Sequence, residues 1–445
     1  CTKVPQREKN EKRKCPEIIR FRDISIRIKI YLQIIYKNFF RLKKQYIIIF
    51  SAWFRYFIDS PEPLYAVFFI FKRNVIFMAE YNSNYSLYLP SYSIGADCYK
   101  QIPYVTRFYG KTAAVIGGKT ALSKAEKHLV KGVEGSDVKL IDFIEYGGNS
   151  TYENGDKLIA NPAVRNADMI FAVGGGRACD TGKYVADKLD KPLFTFPTVA
   201  SNCAAVTAIS VFYNEDGTFK DYYYPKLANH CFINSAVIAD SPEKLLWAGI
   251  GDALSKEYEA VFASNGHVLT HTPLMGRQIS RVCTEPLLEY SAEALRSIKE
   301  KKPSFALDQV TLDIIVSTGI VSNMMTTAND YYYNSTLAHC IYYGSTVTES
   351  GHKHLHGEVV SLGVLCLLEF EKKDNEVDRI MEFNSSIGLP VCFDDIEIDE
   401  SEFETMADKF VQTTEWAHNP DYITRADFIK AMKRLNEKGR NYKKR

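Results

Sequence analysis

The stretch whose reading decides the fold is Asp168–Lys183, DMIFAVGGGRACDTGK. Met169–Val173 is short, apolar and uncharged, the character of a strand buried on both faces. Gly174, Gly175 and Gly176 follow at once, and Ala178–Leu189 reads as a helix. Glycines let backbone N–H groups come close to a phosphate, and a helix start adds partial positive charge. That is the layout of a nucleotide pyrophosphate site. A tight strand-to-helix turn without a ligand would be written the same way, and the run is not the GxGxxG fingerprint.

The flanking sequence alternates. Thr112–Ile116 and Val138–Ile144 read as strands around a helix at Ala121–Val130. A helix near Asn154–Ala160 precedes Met169–Val173, and Leu193–Pro197 is the next strand. Strands separated by helices predict a doubly wound parallel sheet. Phe219–Tyr224 and His230–Ala239 read as further strands beside it. From Pro242 the chain turns helical, with apolar-periodic segments at Leu245–Ala263, Leu307–Asn323, Val359–Phe370 and Phe403–Thr413. The fold class is therefore α/β: an N-terminal doubly wound domain over 78–240, then an all-α C-terminal domain over 241–445. Ligands in such an architecture sit beyond the carboxyl ends of the strands.

The near-neutral net charge of +1 over 445 residues hides two unlike parts. Residues 1–77 carry 17 Lys+Arg and 6 Asp+Glu, while the rest carries 38 and 48. The same 77 residues hold no glycine and no methionine, and Met78 is the first methionine. A folded segment of that length normally needs glycine for its turns. Residues 1–77 are therefore expected to be a non-native or disordered extension, with Met78 as the native start. Tyr46–Phe54 and Leu64–Phe71 are apolar, but Arg55, Asp59 and Glu62 interrupt them, so no uncharged run reaches the ~18 residues of a membrane span. An amphipathic surface segment stays open there. The basic stretch has no nucleic-acid recognition module around it. The 10 cysteines form no CxxC pair, which fits free thiols in a reducing cytoplasm.

Three residues in the second half are candidate metal ligands. Asp252 lies in LLWAGIGDALSKEYEAVF, an acid flanked by apolar helix. A buried carboxylate is costly unless it is paired or binds a cation. The alternative is an N-cap, with Gly251-Asp252 opening a helix at Ala253. His339, in LAHCIYYG, could equally be a hydrogen-bonded core histidine. In GHKHLHGEVV, His352, His354 and His356 could form a solvated loop. His356 differs because it immediately precedes an apolar helix, whose start disfavours imidazolium and keeps the ring able to coordinate. An aspartate with two histidines and an open position is the pattern of a catalytic zinc or ferrous site.

Four segments occur in order: FAVGGGRACDTGK, FPTVASNCAAVTAISVFYNEDG, LWAGIGDALSKEYEA, and LAHCIYYG with LHGEVVSLGVL. Together, from about Leu89 to about Arg434, they resemble the metal-containing group III alcohol dehydrogenases. The glycerol-dehydrogenase-like branch is nearest, and within it the hydroxycarboxylate dehydrogenases. The resemblance implies a dinucleotide-binding α/β domain, a helical metal- and substrate-binding domain, and a cleft holding NAD(P) and one divalent metal. It implies Asp252, His339 and His356 as the metal ligands and catalytic centre. Gly175, Gly176 and Arg177 would face the pyrophosphate. Thr198, Ser201, Thr207, Ile209 and Tyr213 would line the cofactor up to its nicotinamide end. It also implies a homo-oligomer.

Three departures from that family pattern shape the expected chemistry. Cys203 stands where polyol-using relatives carry a carboxylate, which favours a 2-hydroxy or 2-oxo acid over glycerol. Gly118 and Lys119 stand where NAD-preferring relatives hold the ribose 2′-OH with an aspartate, which favours NADP(H) over NAD(H). Tyr342 replaces a second histidine one turn after His339, and Lys256 replaces the iron enzymes' extra histidine, leaving three protein ligands and favouring zinc over iron. The expected reaction is a metal-assisted hydride transfer between NAD(P)(H) and a small 2-hydroxy or 2-oxo acid. Glycerol dehydrogenation is the alternative, as are a lyase of the 3-dehydroquinate-synthase type and a non-catalytic binding protein. The expected partner is a small molecule, with no nucleic acid and no membrane.

Overall fold

In a computed structural model of the protein, residues 86–327, 330–420 and 422–444 are described. The extension expected over 1–77 lies outside them.

Six strands form one parallel sheet: β1 (Tyr92–Ile94), β2 (Thr112–Gly117), β3 (Lys139–Glu145), β4 (Met169–Gly174), β5 (Leu193–Pro197) and β8 (His230–Ile233). Their order is β1-β8-β5-β4-β2-β3. Three helices cover its faces: α1 (Lys119–Val133), α2 (Tyr152–Ala160) and α3 (Gly176–Lys188). The two-residue side-chain period of a strand sorts the core. Ala113, Val115, Phe171 and Val173 pack with Leu122, Ala125 and Leu129 of α1. Ala114, Ile116, Ile170 and Ala172 pack on the opposite face with Leu158 of α2 and Tyr184 and Val185 of α3. Burial on both faces is why these strands read as unbroken apolar runs.

β2 pairs with β3 on one side and β4 on the other. The chain reverses its direction of travel across the sheet between β2 and β4, which opens a crevice at their carboxyl ends. Those ends are the Gly117-Gly118 and Gly174–Gly176 turns.

Four sequence expectations need correction. Phe219–Tyr223 (β7) does not join the main sheet; it pairs antiparallel with Ser210–Tyr213 (β6) in a separate ribbon. The strand expected to run to Ala239 stops at Ile233, because the Asn234 side chain accepts from the Ala236 and Val237 N–H groups and starts the helix Ser235–Ala239. The helix expected over Leu307–Asn323 spans Phe305–Met325 but is broken by a π-helical segment at Asp313–Ser317. The last apolar helix ends at Phe410 rather than Thr413, whose hydroxyl caps the next turn instead. Phe305–Met325 is long and apolar enough to cross a membrane by length and composition, but it is mostly buried in the protein core.

Beyond β8 the described chain is helical. α4 (Glu243–Ala263), α5 (Glu285–Lys299), α6 (Leu337–Ser345), α7 (His356–Phe370) and α8 (Arg425–Tyr442) are its main members. α7 is apolar nearly all round and runs through the centre of this core, packed by α4, α6 and α8.

Candidate metal and nucleotide site

Close backbone packing builds the metal-ligand cluster. Gly251 on α4 and Gly357 on α7 meet where the helices cross. A Cβ on Gly357 would fall 1.8 Å from the Ala248 carbonyl oxygen, and one on Gly251 would fall 2.3 Å from the Gly357 oxygen. Only glycine allows that approach. Each glycine adjoins a ligand candidate, Asp252 after one and His356 before the other, so the crossing sets these side chains face to face. Gly363 does the same for α6, where a Cβ would lie 2.3 Å from the Ala338 oxygen beside His339.

The result is a convergent cluster. One ligand atom from each of Asp252, His339 and His356 lies within 4.8 Å of the others. His356 Nε2 is 3.1 Å from Asp252 Oδ1, and His339 Nε2 is 3.6 Å from the same oxygen. All three residues are half-buried, and His356 is the most exposed, with 40% of its side chain accessible against 20% for Asp252 and 14% for His339. Asp252 lies inside α4, well past its start at Glu243, which disposes of the N-cap alternative. His354 pairs instead with Glu358 at 2.9 Å, outside the cluster.

Glu259, two turns along α4 from Asp252, supports the centre. Its Oε2 is 2.6 Å from His339 Nδ1, and its Oε1 accepts from the backbone N–H groups of Thr336 (2.7 Å) and His339 (3.1 Å). This holds the imidazole with Nε2 aimed at Asp252, the arrangement a metal-ligating histidine needs. Burial pushes the Asp252 carboxyl up, but His356 and His339 outweigh it and hold the group well below the carboxylate range. Burial likewise opposes charge on His339, yet Glu259 and Asp252 raise it to about 10. Two carboxylates around two imidazoles thus stabilise positive charge at this point. That donor set, one carboxylate and two imidazoles with a carboxylate behind, fits a divalent cation.

Of the expected nucleotide residues, Gly118 follows the carboxyl end of β2 and Gly175 and Gly176 follow that of β4, on either side of the crevice. Gly174 has φ +147°, where a side chain would be strained, and a Cβ there would meet the Ala178 Cβ at 2.8 Å. Gly175 is the N-cap residue of α3, and its oxygen accepts from the Ala178 and Cys179 N–H groups at 3.1 Å each. The Arg177 guanidinium lies 5.0 Å over the Tyr213 ring rather than extending from the turn. Thr198 is buried, and its N–H donates to the Gly174 oxygen at 3.2 Å. Ser201 is half-buried, on the loop against which Gly249 of α4 presses. Thr207 is buried and Ile209 is half-buried; the Lys183 ammonium, paired with Asp180 at 2.9 Å, donates to both their carbonyl oxygens. Asn323 ties this loop to the helical half, accepting from Ala208 N–H at 2.9 Å. Gly118 caps α1, and Lys119 opens it as an exposed residue. Tyr342 stands edge-on to the His356 ring at 4.1 Å, and burial raises its hydroxyl above the usual phenol range, against a partial offset from Arg177.

Sequence reasoning missed Glu259 as a functional residue and read Lys256 only as a missing histidine. Both follow Asp252 on one face of α4, at i+4 and i+7, a spacing that was there to be read.

The sequence profile of the iron-containing alcohol dehydrogenases matches residues 90–240. A glycerol dehydrogenase of Thermotoga maritima is 32% identical over 305 residues, covering 66% of this chain and 81% of that protein. A hydroxycarboxylate dehydrogenase A of Escherichia coli is 29% identical over 289 residues, covering 64% and 78%. The crystal structure of a Schizosaccharomyces pombe glycerol dehydrogenase has the same fold, with TM-score 0.70 at 22% identity over 81% of this chain and 93% of that one. With its parallel sheet, helical second half and these relatives, the chain belongs to the iron-containing alcohol dehydrogenase family and is an oxidoreductase.

Proposed function

We propose that the protein is an NADP(H)-dependent, metal-assisted dehydrogenase that interconverts a small 2-hydroxy acid and its 2-oxo acid. The observation that carries the metal-assisted reading is the meeting of Asp252, His339 and His356 at one point. Three protein ligands suit a catalytic zinc ion, and zinc is proposed over iron. A bound divalent cation supplies Lewis acidity to the substrate oxygen, and a bound nicotinamide supplies or accepts the hydride.

The chain's own residues supply position. Glu259 fixes the His339 ring, and Tyr342 packs edge-on to His356. The glycine turn after β4 presents backbone N–H groups to the dinucleotide phosphates, and Gly118 with Lys119 favours a 2′-phosphate. Cys203, half-buried and 3.9 Å from the Ser322 hydroxyl, puts a neutral group where an acid would repel a substrate carboxylate. Alignment of the reacting carbons is the protein's main contribution to rate. The eight cysteines among the described residues are all free, which suits a cytoplasmic enzyme. Assembly as a homo-oligomer is part of the same proposal.

The test is a screen of 2-oxo acids, aldehydes and polyols with both cofactors, with metal analysis of the purified protein. Turnover of 2-oxobutyrate with NADPH is expected. Activity on glycerol without activity on any 2-oxo acid would restore the polyol reading, which the Thermotoga maritima relative favours. His356→Ala is expected to lose both metal and turnover, and full activity without metal would end the proposal. Lys119→Ala should relax the cofactor preference. A strong NAD(H) preference unchanged by that substitution removes the NADP(H) assignment.

A further inference from the structure

Lys256 is a buried cation without an anionic partner. It sits on α4 one turn past Asp252, on the same face, and only 7% of it is exposed. Its ammonium donates to two neutral acceptors of one residue, Asn334 Oδ1 at 2.7 Å and the Asn334 carbonyl oxygen at 3.4 Å. No carboxylate among the described residues pairs with it. Glu259, three residues on, is fully engaged with His339 and two backbone N–H groups. The buried Asp313 neighbours Cys283, as Lys256 does, but makes no ion pair with it. A buried, unpaired ammonium is expensive unless something compensates it. The buried Lys183 shows the usual solution in this same chain, with Asp180 at 2.9 Å.

The position of Lys256 says what the partner is. It follows a candidate metal ligand by one helical turn, and Asn334 starts the segment that leads into α6 and His339. We propose that Lys256 is the group that binds the substrate carboxylate, and that it thereby sets a preference for 2-oxo and 2-hydroxy acids over neutral carbonyls and polyols. This rests on the hydroxy acid reading above and gives it an attracting residue, where Cys203 supplies only the absence of repulsion. An anion held by Lys256 would replace neutral amide acceptors with a hydrogen bond in which both donor and acceptor are charged.

The experiment uses the metal-loaded full chain. Lys256→Met keeps the aliphatic stem and removes the charge. Its kcat/KM for 2-oxobutyrate is expected to fall by about 100-fold, mainly through KM, while that for glycolaldehyde changes by less than about threefold. Binding of oxamate, an unreactive carboxylate, should weaken in parallel by calorimetry, with metal content unchanged. Equal losses on both substrates, or no loss on 2-oxobutyrate, overturn the proposal. Asn334→Asp leaves the lysine in place but gives it a carboxylate partner, so it decides the matter if Lys256→Met does not fold. It is expected to weaken oxamate binding by at least about tenfold, and unchanged binding overturns the proposal. A wild-type enzyme that reduces glycolaldehyde but no 2-oxo acid sinks the acid reading itself, whereas acid turnover indifferent to Lys256 sinks only this inference.

Discussion

Residues that act through others are the hardest to see in a sequence, and Glu259 shows why. Aspartate and histidine inside apolar helix are unusual, so Asp252 and His339 stand out. A glutamate in SKEYEA looks like any solvated helix residue until folding buries it against an imidazole. Glu259→Gln is expected to lower metal affinity about 10–100-fold, measured by chelator competition on protein that still folds. Glu259 and Asp252 are also expected to set the pH dependence of metal uptake. They hold His339 protonated up to about 10 when no cation is bound, so binding must displace a proton. Lowering the pH favours the imidazolium. Apparent metal affinity should therefore fall by up to about tenfold per pH unit from pH 8 to pH 6, as zinc competition titrations would show. A pH-independent affinity would contradict this coupling.

At the scale of elements, the crossing of α4 and α7 sets Asp252 and His356 of the candidate ligand cluster face to face. Gly357→Ala would drive a methyl to 1.8 Å from a carbonyl oxygen on a partner helix that cannot yield without moving Asp252. The expected cost is about 3 kcal/mol or more of stability, with loss of bound metal. Gly388→Ala is the control: φ is +76° but nothing lies within 4 Å, so strain of about 1–2 kcal/mol is expected and metal should be retained. Denaturant unfolding with metal analysis checks both. The buried strands were legible because two-sided burial leaves an apolar run bounded by glycine and proline. The β6–β7 ribbon was not assignable to its own sheet, since strand character says nothing of which neighbour supplies the hydrogen bonds. Nor could apolar periodicity reveal the π-helical segment, which inserts an extra residue without changing composition.

Across the whole molecule, that π segment leaves a mark on stability. Asp313 is 2% exposed, and burial, offset only in part by the Ser317 hydroxyl, raises its carboxyl to about 7. An unfolded chain ionises this group near pH 4. Between about pH 4 and pH 7 the unfolded state has therefore lost a proton that the folded state keeps, and stability falls as pH rises. The full penalty is on the order of 4 kcal/mol. Asp313→Asn should flatten the decline, so its Tm should drop less than that of the native chain between pH 5 and pH 8. Parallel Tm curves would show that Asp313 does not cause the decline.

By itself the sequence determined the kinds of layer: short apolar runs alternating with helices, then helices alone, with a glycine turn after a central strand. Those follow from local periodicity and from the small set of residues that tolerate tight turns. It also nominated Asp252, His339 and His356, because scarce donor types in apolar surroundings invite an explanation. Only the tertiary structure decided that these side chains meet, that Glu259 stands behind one of them, and that Lys256 is buried without an ion pair among the described residues. Distance between residues remote along the chain is set by how helices cross and strands order. Here that geometry depends on glycine contacts whose partners no local pattern names.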